Sequence, residues 1–127
     1  VSAQGLAEGL LTDGRAVLDG IYFDTDKATL KPESGEALAI IAQFLKDRPD
    51  LDVFIVGHTD LVGGFDHNMA LARDRATAVV TALTTEYGIS RERLSAHGVG
   101  PLSPAKSTGA EAGRSLNRRV EMVERSM

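Results

Sequence analysis

The 127-residue chain carries 43% hydrophobic and 25% charged residues, a balance that suits one domain with a real core and suggests neither disorder nor a membrane protein. A net charge of −4 and an aromatic share of 5% argue against a general nucleic-acid binder, which needs basic surface and stacking rings. Cysteine is absent, which excludes disulfides, thiolate metal sites and cysteine nucleophiles; no apolar run approaches the ~20 residues of a membrane span, and no signal peptide is visible after Val1.

Residues 1–14 read as weakly helical, with Leu6, Leu10 and Leu11 as anchors and Gly5, Gly9 and Gly14 diluting the signal, so the segment is taken as a linker or N-terminal extension to a domain at 15–127. Alternation from Arg15 to Phe23 predicts a strand, and Gly20 within it a bulge or a close backbone contact. The polar loop Asp24-Thr25-Asp26-Lys27 leads into a helix over about 32–46. Pro32 in its first turn and the acids Glu33 and Glu36 suit the positive end of a helix dipole. Leu38, Ile41, Ala42 and Leu45 make one apolar face, and Arg48-Pro49 ends the helix. Residues 52–56 are almost continuously apolar, which predicts a strand buried on both faces or inside a sheet.

The next stretch, from Gly57-His58-Thr59-Asp60 through Gly63-Gly64 to Ala76, has the composition of a ligand-holding loop and helix. Its glycines allow tight turns and close backbone approach. If Asn68 caps the helix, residues 68, 72, 75 and 79 share a stripe, leaving only the methyl of Ala72 between Asn68 and Arg75. The result would be a groove with the acid Asp60 at one end and the base Arg75 at the other, able to hold an ammonium and a carboxylate on one carbon. A planar guanidinium grips a carboxylate through two parallel hydrogen bonds. Asp60 could instead be a turn residue bonded to its own backbone, and Arg75 a solvated helix residue.

This second helix is predicted over about 69–87, with Leu71, Val79, Leu83 and Tyr87 inward and Gly88 past its end. Ser90 would cap a short turn before a strand at 94–99. A loop to about residue 113, low in large apolar residues, reads as mobile, and 120–123 forms the last strand. If the chain entering it is extended, Arg118 and Arg119 point to opposite faces, so at most one reaches the groove and the other is a surface charge. The order βαβαββ predicts an α/β two-layer sandwich: a mixed four-stranded sheet with helices on one face.

His58, Asp60, Asp66 and His67 carry ligand atoms, but their spacing is not that of a metal site, and no metal or other cofactor is assigned. No serine sits in a nucleophile elbow, the Gly98-x-Gly100 pair is too short for a dinucleotide loop, and Asp60 and Arg75 attract each other as a stable ion pair instead of forming an acid catalyst. The chain does not read as an enzyme.

Taken together, the motifs resemble one family, the OmpA-like C-terminal domain shared by OmpA, Pal and MotB proteins. The resemblance rests on Thr59-Asp60, Gly63, Asn68, Leu71, Arg75-Ala76 and Val79. Ile21-Tyr22-Phe23-Asp24 supports it upstream, and Gly98-Val99-Gly100, Gly113-Arg114 and Asn117-Arg118-Arg119-Val120-Glu121 support it downstream. It covers roughly residues 15–124 with the motifs in order. The resemblance implies non-covalent binding of peptidoglycan through the diaminopimelate of its stem peptide. Asp60 would take the ammonium, Arg75 the carboxylate, and Arg118 would lie at the same site. Thr59 falls in the signature, while Asn68 and the loop of Asp24 and Thr25 would add hydrogen bonds. Ala72 stands where many members have serine. The implied setting is the periplasm, with attachment to the outer membrane through segments outside this chain and an envelope protein as possible partner. The role would be anchoring to the wall or, alternatively, a regulatory domain whose wall contact gates a partner or stator.

Overall fold

In the computed structural model, which describes residues 1–126, the apolar stretch after Leu51 forms strand β2 (Asp52–His58) inside a four-stranded mixed sheet. The sheet order is β1-β4-β2-β3, with β1 (Arg15–Val17), β3 (Leu94–Gly100) and β4 (Arg119–Ser126). β2 runs parallel to β3 and antiparallel to β4, which is antiparallel to β1. Burial alternates along β2: Val53 and Ile55 are fully covered, while Phe54 and Val56 are half-buried. Leu94 beside Val53, Met122 beside Ile55 and Ala16 beside Met122 are buried too, so one sheet face carries the core. Helices α1 (Ala3–Asp13), α2 (Gly35–Asp47) and α3 (Phe65–Thr85) pack Leu6, Leu10, Ile41, Phe44, Leu45, Val79 and Leu83 into that same core. The predicted α/β sandwich is the fold that forms, and β2 has the interior position that its apolar run implied.

Three elements differ from the sequence reading. The weakly helical start is a defined helix, capped by the Ser2 hydroxyl, which accepts from the Gly5 N–H at 3.0 Å, and closed by Gly14 at φ 74°. Leu6 and Leu10, one turn apart, are both buried against the core, and each such burial contributes about 1.5–3 kcal/mol. Strand β1 spans three residues, not nine, because the chain turns at Gly20 (φ 89°) and leaves the sheet. Beyond the turn, Tyr22 finds its partner in a side chain: the buried Ser34 hydroxyl accepts from the Tyr22 N–H at 2.8 Å and donates to its carbonyl at 3.0 Å. The third difference is α4 (Glu111–Asn117), which begins at the end of the stretch read as a mobile loop and runs through the segment read as the entry to the last strand. It buries only Asn117, and so has no apolar periodicity to announce it.

Asn117 also fixes the loop before it. Its side-chain oxygen accepts from the Ala105 and Lys106 N–H groups at 2.7 and 2.9 Å, and its amide donates to the Lys106 carbonyl at 2.8 Å. Arg119 adds a bond to the Ser103 carbonyl at 3.0 Å. Contrary to the sequence reading, Arg119 is not a surface charge: its side chain is 8% exposed and pairs with the buried Glu121 at 2.5 Å. His58 lies 3.8 Å from Glu121, with no hydrogen-bond partner for either ring nitrogen among the described residues. Burial first, and then the Arg119 charge, lower its pKa below the ordinary histidine value and favour the neutral ring.

The position of α3 follows from two glycines side by side in the β2–β3 register, Gly57 and Gly98. A Cβ on Gly57 would lie 2.0 Å from the Ala72 carbonyl oxygen, and one on Gly98 would lie 2.2 Å from the Arg73 nitrogen. The helix backbone therefore rests directly on the sheet. Gly57→Ala should force the helix away and lower stability by about 1–3 kcal/mol, as overpacking does. Gly35→Ala, in a helical turn with open space around it, should be neutral or slightly stabilising. Urea unfolding of the two variants beside the parent tests this; equal midpoints would contradict the contact.

Candidate functional site

β2 and β3 are parallel and end together, and the chain beyond β2 forms the site. Ligands of α/β sheets commonly sit beyond the carboxyl ends of parallel strands, where the backbone must diverge. Thr59 is held there by its N–H, which donates to the Gly100 carbonyl at 2.9 Å. Its hydroxyl donates to the Asp60 carbonyl at 2.9 Å, so this buried side chain braces the backbone and is not turned to solvent. Asp60 follows, 6% exposed. One carboxylate oxygen accepts from the Val62 N–H at 2.9 Å, and the other accepts from the Arg118 guanidinium at 2.7 Å. The turn contact expected of Asp60 is present, and the same side chain also holds Arg118.

Asn68 is not the helix cap. α3 starts at Phe65 with Gly64 in the capping position, and Asn68 lies in the first turn, its N–H bonded to the Gly64 carbonyl at 3.0 Å. Its side-chain amide donates to the Val62 carbonyl at 2.9 Å and to the Asp60 carbonyl at 3.4 Å. Buried at 3% exposure, it fixes the loop that presents Asp60. The stripe of Asn68, Ala72, Ala76 and Val79 faces the sheet, so the Ala72 methyl is buried and does not line a groove.

Arg75, just off that stripe, reaches the loop before α2. Its Nε donates to the Lys27 carbonyl at 2.9 Å, one terminal nitrogen donates to the Asp24 carbonyl at 3.3 Å, and the guanidinium lies 4.9 Å from the Phe23 ring centre. Burial lowers its pKa, the charges of Asp26 and Asp60 act to raise it, and that of Arg118 acts to lower it. The ion pair expected between Asp60 and Arg75 is not formed; Arg118 takes that place. Asp24 and Thr25 are exposed on the loop that Arg75 ties down. Asp26, at φ 59°, meets His67 of α3 at 2.7 Å and makes a second strap from this loop to the helix. Of the residues there with metal-ligand atoms, His58 lies by Glu121, Asp60 by Arg118 and His67 by Asp26.

Arg118 carries a further contact that the sequence did not reveal. Its other terminal nitrogen meets Glu111 at 2.5 Å, and Arg114 approaches Glu111 at 3.5 Å. Glu111 and Asp60 raise the pKa of Arg118, while its hydrogen bond lowers that of Glu111. The only sequence signal for this pair was a separation of two helical turns, in a helix without an apolar face. Leu61, Val62 and Phe65, each more than half exposed, stand beside Asp60. The site thus presents an anchored carboxylate and guanidiniums held by backbone carbonyls or carboxylates, with these apolar side chains exposed beside it.

The model of the OmpA family matches residues 22–118. Over 105 residues the chain is 39% identical to the probable lipoprotein YiaD of Escherichia coli, covering 83% of this chain and 48% of that protein. Over 122 residues it is 36% identical to the peptidoglycan-binding protein ArfA of Mycobacterium bovis, covering 95% of this chain and 37% of that one. The chain thus spans less than half the length of either relative. The crystal structure of the peptidoglycan-associated lipoprotein from Burkholderia pseudomallei superposes with a TM-score of 0.75 at 32% identity, covering 83% of this chain and 88% of that one. With its motifs, its sheet order and this match over most of its length, the chain belongs to the OmpA family.

Proposed function

We propose that this domain binds peptidoglycan non-covalently through the diaminopimelate of the stem peptide and thereby ties an envelope protein to the cell wall. The observation that carries the reading is the buried Asp60 carboxylate, anchored by the Val62 N–H and by Arg118. The ligand's ammonium would meet Asp60, and its carboxylate would be shared by the guanidinium of Arg75, already oriented by two backbone carbonyls, and the outer nitrogen of Arg118. Fixing both partners beforehand removes ordering costs that a flexible pair would bear on binding. Asn68 and Thr59 hold the Asp60 loop, and Asp24 and Thr25 offer hydrogen-bonding groups on the exposed loop that Arg75 ties down. The name of the relative ArfA and that of the lipoprotein from Burkholderia pseudomallei lend the reading support. The setting would be the periplasm, with any membrane attachment made by other segments.

Asp60→Asn should weaken wall binding tenfold or more, on the order of the 2–5 kcal/mol lost when one member of a desolvated charge pair is truncated. Sedimentation with purified peptidoglycan reads this directly, and unchanged binding would sink the assignment. Arg75→Lys keeps one positive charge but loses the planar fork. Calorimetric titration with diaminopimelate should show far weaker binding, while thermal melts should show a stability change of about 1 kcal/mol or less, the worth of an exposed backbone contact. Retained binding with a large loss of stability would leave Arg75 as scaffold.

A further inference from the structure

Two carboxylates share the Arg118 guanidinium, and they are held very differently. Asp60 is 9% exposed at its side chain, sits at 2.7 Å and has a second anchor in the Val62 N–H. Glu111 is 64% exposed, sits at 2.5 Å and belongs to the first turn of the short helix α4. Its remaining contact, with Arg114, spans 3.5 Å. An exposed pair of this kind contributes only about 0.2–1 kcal/mol and exchanges readily with solvent, whereas a desolvated, doubly bonded carboxylate does not.

We infer that Glu111 is an internal stand-in for the ligand's carboxylate, occupying the outer nitrogen of Arg118 in the free domain and leaving it when the zwitterion binds. This rests on the reading of Asp60 as the ammonium acceptor and adds a specificity element to the same site. Arg118 then has two distinct edges. The inner one holds Asp60 in place, and the outer one is kept ordered and charge-balanced by Glu111 until an incoming carboxylate exchanges with it. The stand-in also discriminates: a ligand with an ammonium but no carboxylate gains nothing by displacing Glu111, since it has nothing to offer Arg118. Affinity for the zwitterion is correspondingly lowered by the contact that must be broken.

The test is calorimetric titration of diaminopimelate into the full chain and into Glu111→Gln, Asp66→Asn and Asp60→Asn. Asp66 is an exposed acid in the first turn of α3 without an ion pair to Arg118 among the described residues, so its variant controls for bulk charge. Glu111→Gln should bind about two- to fivefold more tightly, the equivalent of one exposed ion pair, and Asp66→Asn should match the parent. Unchanged or weaker binding by Glu111→Gln, or equal tightening by Asp66→Asn, overturns the inference. If Asp60→Asn abolishes binding while Glu111→Gln leaves it unchanged, only the stand-in role falls. If the parent shows no binding, or Asp60→Asn is without effect, the reading beneath it falls as well.

Discussion

The bare contact between α3 and the paired backbones of Gly57 and Gly98 sets the geometry on which the rest of the structure depends. A helix seated on side chains can shift by the width of a methyl group, since side chains change rotamer to accommodate it. A helix seated on backbone has no such freedom, because interiors pack at crystal-like density. Here Ala72 lies over the glycine pair with no exposed surface. Asn68, one turn earlier, is thereby aimed at the loop leaving β2, and Arg75, one turn later, at the loop after Phe23. Alanine at position 72 is therefore wholly buried, and its replacement would bear on packing.

The site is assembled from four places in the chain: the end of β2, the first two turns of α3, the loop at 24–27 and the junction of α4 with β4. Each is tied to another by a side chain bonded to backbone or by an ion pair. Asn68 holds the Asp60 loop, Arg75 holds the Asp24 loop, Arg118 closes Asp60 against α4, and Asn117 binds the preceding loop onto that helix. Such bonds are individually worth about 1 kcal/mol. Their value here lies in orientation, since they hold the charged groups in fixed positions.

Much of this was legible in the sequence wherever a strong period was at work. Leu38, Ile41, Ala42 and Leu45 marked α2 because four apolar residues repeat at helical spacing, and all four are buried. β2 was legible from its continuous apolar run. α1 was faint because two leucines carry all of its burial, and α4 was invisible because its one buried residue is polar. The first strand was overextended because alternation continues past Gly20, although the partner beyond that point is the Ser34 hydroxyl and not a strand. In the site, local spacing singled out Asp60, Asn68 and Arg75; Asn68 does bond the Asp60 loop, while Arg75 reaches the loop at 24–27 instead. The choice of Arg118 over Arg75 as partner of Asp60 was beyond it, because it is made by the insertion of β4 between β1 and β2, across 58 residues of sequence. The burial of Arg119 has the same origin, since it pairs with Glu121 on the sheet face away from the core.

The central claim is that the site reads a zwitterionic centre on the stem peptide and not the bulk charge or sugar of the wall. The most direct measurement is co-sedimentation of the chain with two purified walls that differ at one stem-peptide residue, diaminopimelate in one and lysine in the other, with and without free diaminopimelate. Lysine lacks the second ammonium–carboxylate centre, so Asp60 and Arg75 would lose their ligand contacts, and sites built for polar groups reject ligands that lack them by large factors. The account predicts binding to the diaminopimelate wall that free diaminopimelate reverses, and at least tenfold weaker binding to the lysine wall. Equal binding to both walls, or binding that the free amino acid leaves untouched, would contradict it.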